Sequence, residues 1–217
     1  MKDPSNHKLF DWMSGLGRQP GNVVQVGANS GQEIPAFVRY GVAWAIMIEP
    51  LDGPYLELVS ASAKHPRYVP IQALCSSEAG QTATFWVASN NGQSSSFLRP
   101  LRHVTEIPNV KFGATLEMQT TTVDRVVADV VRDHPAFGGN SFNSLLIDVQ
   151  GAELKVLMGS AELLQHVDHV IAEVSGDLYE GGATLDDLQG FLRPFGFSLN
   201  NVRLDRLNSG DALFVRR

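Results

Sequence analysis

A single cysteine in 217 residues excludes an internal disulfide framework and a thiolate zinc site. Cys75 lies in the apolar stretch IQALC, where a small buried side chain is expected rather than a nucleophile. No unbroken apolar run approaches the roughly 18 residues of a membrane-spanning helix. The opening MKDPSNHKLFDW lacks the basic start and apolar stretch of a signal peptide, so the expectation is no membrane span and a cytoplasmic location. Basic residues are the minority, 17 against 23 acidic ones for a formal net charge of −6, and they form no stripe that could neutralise a phosphate backbone. Nucleic acid is not an expected partner. The histidines form no ligand set, with His166 and His169 near one helix-to-strand junction and His7, His65 and His134 in polar surroundings, so no metal is expected. What the chain does hold is 43% hydrophobic residues, enough to bury one sizeable core.

Residues 1–20 read as an N-terminal extension closed by the turn-prone Gln19-Pro20-Gly21, and 21–217 as one domain. Val23 to Val26, Ala43 to Ile48, Tyr68 to Leu74, Leu145 to Val149 and His169 to Glu173 are short, apolar and bounded by turns or polar residues, as buried parallel strands are. Between them lie helical patterns. Val123, Val126, Val127, Val130 and Val131 recur at helical spacing, as do Leu185, Leu188, Phe191 and Leu192 before Pro194. ATFWVAS and LEMQTTT are expected as extra strands between the third and fourth sheet strands, forming a lid or flank. The last segment reads as two strands around Asn208-Ser209-Gly210-Asp211, giving an antiparallel edge. The layout is a doubly wound α/β fold with a mostly parallel sheet and an antiparallel C-terminal hairpin strand.

After the first strand, VGANSGQEIPAFVRYG gives a glycine turn followed by an amphipathic helix. Glycine allows positive φ and close approach of a ligand, and the helix start offers unpaired N–H groups. A tight strand-to-helix turn explains the glycines equally well, and Ser30 with Glu33 fits a capping box. The second strand ends at Glu49, about 20 residues after Gly27, where an acidic side chain can accept hydrogen bonds from both hydroxyls of a ribose; a solvated strand end is the alternative. Asn29 stands where a dinucleotide turn carries its second glycine, which favours a nucleoside cofactor without a pyrophosphate, such as S-adenosylmethionine, over NAD. Asp148 and Glu173 close two further strands at the end where an open α/β sheet binds ligands. Each is also explained as a turn, cap or hydrogen-bonded strand end. Glu153 fits the start of a helix, with Leu154, Leu157 and Met158 facing inward. His103, after Arg99-Pro100-Leu101-Arg102, reads as either a general base or an ordinary surface histidine.

VGANSGQE at 26–33, IEP at 48–50, TTTVDRVV at 120–127, IDVQGAELKVLMG at 147–159 and AEVSGDLYEG at 172–181 occur in the order found in the FkbM-type methyltransferases, which the chain resembles from about Asn22 to Arg217. NNGQSSSFL at 90–98 resembles a serine-rich segment of one subset. The resemblance implies a seven-stranded Rossmann-like sheet and S-adenosylmethionine as cofactor. By it, Gly27, Ala28, Asn29, Ser30 and Gly31 line the methionine and ribose side, Glu49 with the following Pro50 lies at the ribose, and Ala73 with Leu74 lies at the adenine. Gln25 stands where the family often has Asp and can hydrogen-bond the amino or carboxylate end of the cofactor, while Gln150 stands where it often has Glu. The implied reaction is O-methylation of a small-molecule or glycan hydroxyl acceptor, on a sugar, glycolipid or polyketide-like product. Asp148 or His103 acts as base with Glu173 as the other catalytic carboxylate, and Asn91, Gln93, Ser95 and Ser96 are candidate substrate contacts or parts of a lid. The two glutamines also fit a non-catalytic S-adenosylmethionine-binding or interaction module.

Overall fold

The computed structural model describes residues 8–15, 17, 19–134, 137 and 142–217. Five strands, β1 (Asn22–Val26), β2 (Trp44–Glu49), β3 (Tyr68–Gln72), β7 (Ser144–Ile147) and β8 (His169–Val174), lie parallel in a seven-stranded sheet. The C-terminal strands β9 (Phe197–Leu204) and β10 (Gly210–Arg216) complete it in the order β3-β2-β1-β7-β8-β10-β9, with β10 antiparallel to both neighbours. This matches the layout expected from the sequence. The central strands are mostly apolar and buried because helices cover both faces of the sheet there, whereas the edge strand β9 is largely exposed.

Strand alternation sorts the core into two layers. Val24, Val26, Ile46, Ile48, Leu145, Ile147, Val170 and Ala172 pack on one face, against buried residues of α5 (Val123–Asp133), α6 (Glu153–Met158) and α7 (Leu185–Leu192). Val23, Ala45, Met47, Leu146, Ile171 and Leu213 face the other way, toward α1 (Lys8–Gly15), α2 (Ile34–Arg39) and α3 (Asp52–Ser62). Phe10 and Met13 of α1 are buried in this second layer, so the extension read at 1–20 contributes to the core. Cys75 is buried, as expected, and its thiol is pushed up to about 12 by that burial.

Where the expected strand at 68–74 ends, the chain changes sheets. β4 (Leu74–Cys75) joins β5 (Thr82–Ala88) and β6 (Phe112–Thr121) in a three-stranded sheet of order β4-β6-β5, formed by the two segments read as inserted strands. Leu51, Leu74 and Phe85 form its small core beside the end of β2. Two expected inward faces differ in part. Met158 is exposed while Leu157 is buried, and Val131 is exposed at the outer edge of the α5 stripe.

Candidate active site

Strand register builds the site. Val26 is level with Ile48 and Ile147, and Ile147 with Ala172. One residue further on, Glu49, Gly27, Asp148 and Glu173 therefore form a single rung at the carboxyl ends of four neighbouring strands. Glu49 pairs outward with Gln72, and Glu173 with Asp211 of β10. Because paired residues share a face, all these acids project to the α2 side. The strand order reverses between β1 and β7, so the rung crosses the topological switch point where open α/β sheets bind ligands.

Gly27 has a positive φ of 84°, and a Cβ built on it would lie 1.8 Å from the Asp148 carbonyl oxygen. Only a glycine lets the two halves of the sheet meet here. Its amide and that of Ala28 both donate to the Ile48 carbonyl at 2.9 Å, which locks the turn to β2. Asn29 also adopts positive φ, 43°, and its amide donates to Glu49 Oε2 at 3.0 Å; the Leu51 amide donates to Oε1 at 2.9 Å. Glu49 is buried, and desolvation pushes its carboxyl up to about 7 despite these two amides, with the nearby Asp148 charge acting in the same direction. Each oxygen keeps a free lone pair, so a diol can still be accepted.

Ser30 and Glu33 do not form the capping box read from the sequence. Glu33 is itself the N-cap of α2 without a side-chain cap bond, and its Oε2 accepts from Gln25 Nε2 at 2.9 Å. Gln25 is buried, and its Oε1, like Asn29 Oδ1, is without a hydrogen-bond partner among the described residues. Two buried acceptors are thus left unsatisfied beside the glycine turn, and buried polar atoms are ordinarily satisfied. Pro50 is half-buried, Ala73 is half-buried, and Leu74 is buried against Leu51.

On the other half of the rung, Asp148 is exposed. Gln150 Nε2 donates to Asp148 Oδ1 at 2.7 Å and to Glu173 Oε2. Gln150 and Gly151 both have positive φ, 56° and 97°. The loop is held by Glu153, whose Oε1 accepts from the amides of Val149 at 3.1 Å and Gly151 at 3.2 Å. Glu153 therefore ties down the loop before its helix as well as sitting at the helix start. It is fully buried with Oε2 unpartnered among the described residues, and burial pushes its carboxyl up to about 8.

The serine-rich segment lies across the mouth of the crevice. Asn29 Nδ2 donates to the Asn91 carbonyl at 2.9 Å and Asn91 Nδ2 to Glu57 at 3.2 Å. The hydroxyls of Ser95 and Ser96, read as candidate substrate contacts or parts of a lid, are engaged within the protein. Ser95 Oγ accepts from the Ala88 amide at 2.9 Å, and Ser96 Oγ accepts from Leu98 at 3.0 Å and reaches the Val149 carbonyl at 3.4 Å. Those bonds fix the segment's own turn and tie it to the loop after β7, which leaves Asn91 and Gln93 exposed. His103 is a second correction. It is 1% exposed in α4 (His103–Glu106), packed edge-on against Phe112 and against the Tyr179 ring, with Nδ1 unpartnered among the described residues. Burial lowers its pKa, and the Tyr179 ring lies between it and the Gln150 amide.

Three residues complete the arrangement; composition and spacing single out neither Asp211 nor Tyr179, and Gln150 stands out only as a replaced acid. Gln150 bridges the carboxylates, Asp211 faces Glu173 across the ladder, and Tyr179 OH reaches the Ser94 carbonyl at 2.8 Å and Gln150 Oε1 at 3.1 Å. The alternation of β10 could have revealed Asp211, since a strand partner shares a face with its neighbour. Among the described residues no group of three or more His, Cys, Asp or Glu is arranged to hold a metal ion, and no helix is long and apolar enough to cross a membrane.

This fold, with its acid rung and glycine turn at the switch point, is that of a nucleoside-cofactor enzyme of the Rossmann-like class. Residues 25–199 match the family described as the methyltransferase FkbM domain, and the chain belongs to that family. It is a methyltransferase, with S-adenosylmethionine as its methyl donor. Solved structures share the fold at low identity. A protein of the NADB-Rossmann superfamily from Streptococcus agalactiae is 12% identical, with 99% of this chain and 70% of that one covered at a TM-score of 0.54. The magnesium protoporphyrin IX methyltransferase of Synechocystis PCC 6803, solved with bound S-adenosylmethionine, is 14% identical, with 97% and 77% covered at 0.51. A Streptococcus pneumoniae protein described as a candidate tRNA (m1A22) methyltransferase is 13% identical, with 97% and 70% covered at 0.52. No curated protein matches the chain significantly.

Proposed function

We propose that the protein transfers a methyl group from S-adenosylmethionine to a hydroxyl oxygen of a small-molecule or glycan acceptor, with a sugar, glycolipid or polyketide-like product as the acceptor class. The observation that carries this reading is the rung itself, which puts one buried and one exposed carboxylate on either side of Gly27. The residues fit the cofactor. Glu49 offers two carboxylate oxygens, already oriented by backbone amides, to the ribose hydroxyls. Asn29 Oδ1 and Gln25 Oε1 are buried acceptors needing donors, which hydroxyl and ammonium groups supply. Gly27, Ala28, Ser30 and Gly31 shape the turn beside them, and Pro50, Ala73 and Leu74 form the side taken by the adenine.

When bound, S-adenosylmethionine supplies an electrophilic sulfonium methyl. The chain's own task is to align the acceptor and remove its proton. Asp148 is exposed at the switch point and accepts from Gln150 through Oδ1, so its other oxygen is available to take the hydroxyl proton. Glu173, tied to the same amide, orients the acceptor. His103 is too enclosed for that work and supports Tyr179 instead. Residues 90–96 act as a cover, with Asn91 and Gln93 toward solvent and the acceptor.

The test is Asp148→Asn, compared with wild type using labelled S-adenosylmethionine and a panel of sugars and polyols. Turnover is expected to fall about 10²–10⁴-fold, the usual contribution of a general base, while calorimetric binding of S-adenosylmethionine is largely kept. Methyl transfer at the wild-type rate removes Asp148 from this role.

A further inference from the structure

We propose that Gln150 is a positioning residue for methyl transfer, its side-chain amide spanning Asp148 and Glu173 and holding the two carboxylates in one arrangement. The inference rests on Asp148 acting as the base. An amide nitrogen carries two protons, and both are used, one toward Asp148 Oδ1 at 2.7 Å and one toward Glu173 Oε2. These carboxylates stand side by side on adjacent parallel strands, where without a donor between them one would be driven to hold a proton. A protonated Asp148 cannot take the proton of the acceptor hydroxyl.

The position is built for the bridge. Gln150 has a φ of 56°, a conformation costly for a residue with a Cβ, and that conformation carries its side chain back toward β8. Glu153 Oε1 holds the loop there through the amides on either side of Gln150. The two carboxylates only accept, which fixes the amide with its nitrogen toward them and leaves Gln150 Oε1 3.1 Å from the Tyr179 hydroxyl. The Tyr179 hydroxyl has one proton and a second acceptor, the Ser94 carbonyl at 2.8 Å, so the amide is also linked to the covering segment.

The titratable groups around the bridge come from every neighbouring element. They are Asp148 after β7, Glu173 on β8, Asp211 on β10, Glu153 on α6, Glu49 on β2, Tyr179 from the loop after β8, and His103 of α4 behind the Tyr179 ring. Five of them are carboxylic acids, so the amide donor offsets repulsion that a carboxylate in its place adds to.

Gln150→Glu keeps the shape and replaces the donor with a third carboxyl. Gln150→Gly removes the side chain and relieves the left-handed backbone, so it retains the fold. In protein carrying ¹³C at the Asp and Glu carboxyls, with signals assigned by Asp148→Asn and Glu173→Gln, the Asp148 and Glu173 titration midpoints are expected to rise. The rise is about one pH unit or more in Gln150→Glu and less in Gln150→Gly. With an active acceptor, the acid limb of the rate profile moves upward with them. Midpoints unchanged in both variants overturn the role of Gln150 and leave Asp148 as base, as does a lowered melting temperature with unchanged midpoints. Turnover retained in Asp148→Asn overturns the base, and the positioning role with it, even where the midpoints shift.

Discussion

Glu49 and Asp148 flank Gly27 on one rung, yet Glu49 is 5% exposed and gripped by two backbone amides, whereas Asp148 is open to solvent and tied to a side-chain amide. The Glu49 half is set by the main chain: a left-handed turn, β2, and the amides that any residues of the right conformation supply. The Asp148 half is set by side chains, Gln150, Glu153 and Tyr179, each dependent on the next. Rigid backbone suits a cofactor with a fixed shape. Adjustable side chains suit an acceptor and a proton that must move.

The two halves meet at Gly27, and the largest expected effect lies there. In Gly27→Ala the new methyl lies 1.8 Å from the Asp148 carbonyl, on backbone that both strands hold in register, and φ is 84°. We expect a loss of about 4 kcal/mol or more, seen as insoluble protein or a melting temperature lowered by roughly 8–16 °C. Gly31→Ala is the contrast. It shares the left-handed strain at a φ of 80°, but its Cβ comes closest to the side-chain ends of Ile34 at 2.9 Å and Leu58 at 3.0 Å, which give way more readily than backbone. Equal melting temperatures for the two variants would show that Gly27 is not the seam between the halves.

A smaller effect separates the halves by pH. Glu153 holds the Asp148 side, and its carboxyl is pushed from the ordinary 4.5 up to about 8. Between those values the folded protein keeps a proton that the unfolded chain has released, so stability falls as pH rises and the decline is complete above about 8. Glu153→Gln retains the Oε1 acceptor for Val149 and Gly151 but cannot ionise. Denaturant melts of the variant from pH 4.5 to 9 are expected to lack a decline of a few kcal/mol that the wild type shows. Parallel curves for the two proteins would mean that Glu153 does not carry the penalty.

The same division explains what the sequence could tell. Gly27, Glu49, Asp148 and Glu173 were legible because strand ends and glycine turns follow from apolar runs and spacing, which backbone geometry turns directly into a rung. Gln150 reads in the sequence as a missing acid, and only its positive φ and the partners on β8 and at Tyr179 make it a bridge. His103 misleads because the polar run before it says nothing of Phe112 on the next strand or of Tyr179, distant in sequence, which enclose it. Ser95 and Ser96 mislead similarly. A serine offers the same hydroxyl to a substrate or to its own turn, and here the turn takes it.

The finest contrast is in cofactor affinity. If the ribose hydroxyls donate to the Glu49 carboxylate as proposed, binding favours its ionised form, and desolvation places that ionisation at about 7 in the free protein. S-adenosylmethionine affinity is therefore expected to be flat above about pH 7.5 and to weaken below 7, by at most tenfold per pH unit. Glu49→Gln keeps the shape but replaces one acceptor oxygen with a donor nitrogen and removes the charge. At pH 8 it should bind about 10–100-fold more weakly, the worth of hydrogen bonds to a charged group. Below pH 7 the gap should narrow, because the wild-type carboxyl is then itself protonated. Asp148→Asn should keep the rise of cofactor affinity with pH, with its midpoint moved somewhat lower because the Asp148 charge that helps raise Glu49 is gone, while losing turnover, the reverse of Glu49→Gln. Calorimetry across pH 5.5–8.5 on the three proteins decides it: wild-type affinity independent of pH would place the ribose away from Glu49, and the two halves would no longer divide cofactor from acceptor.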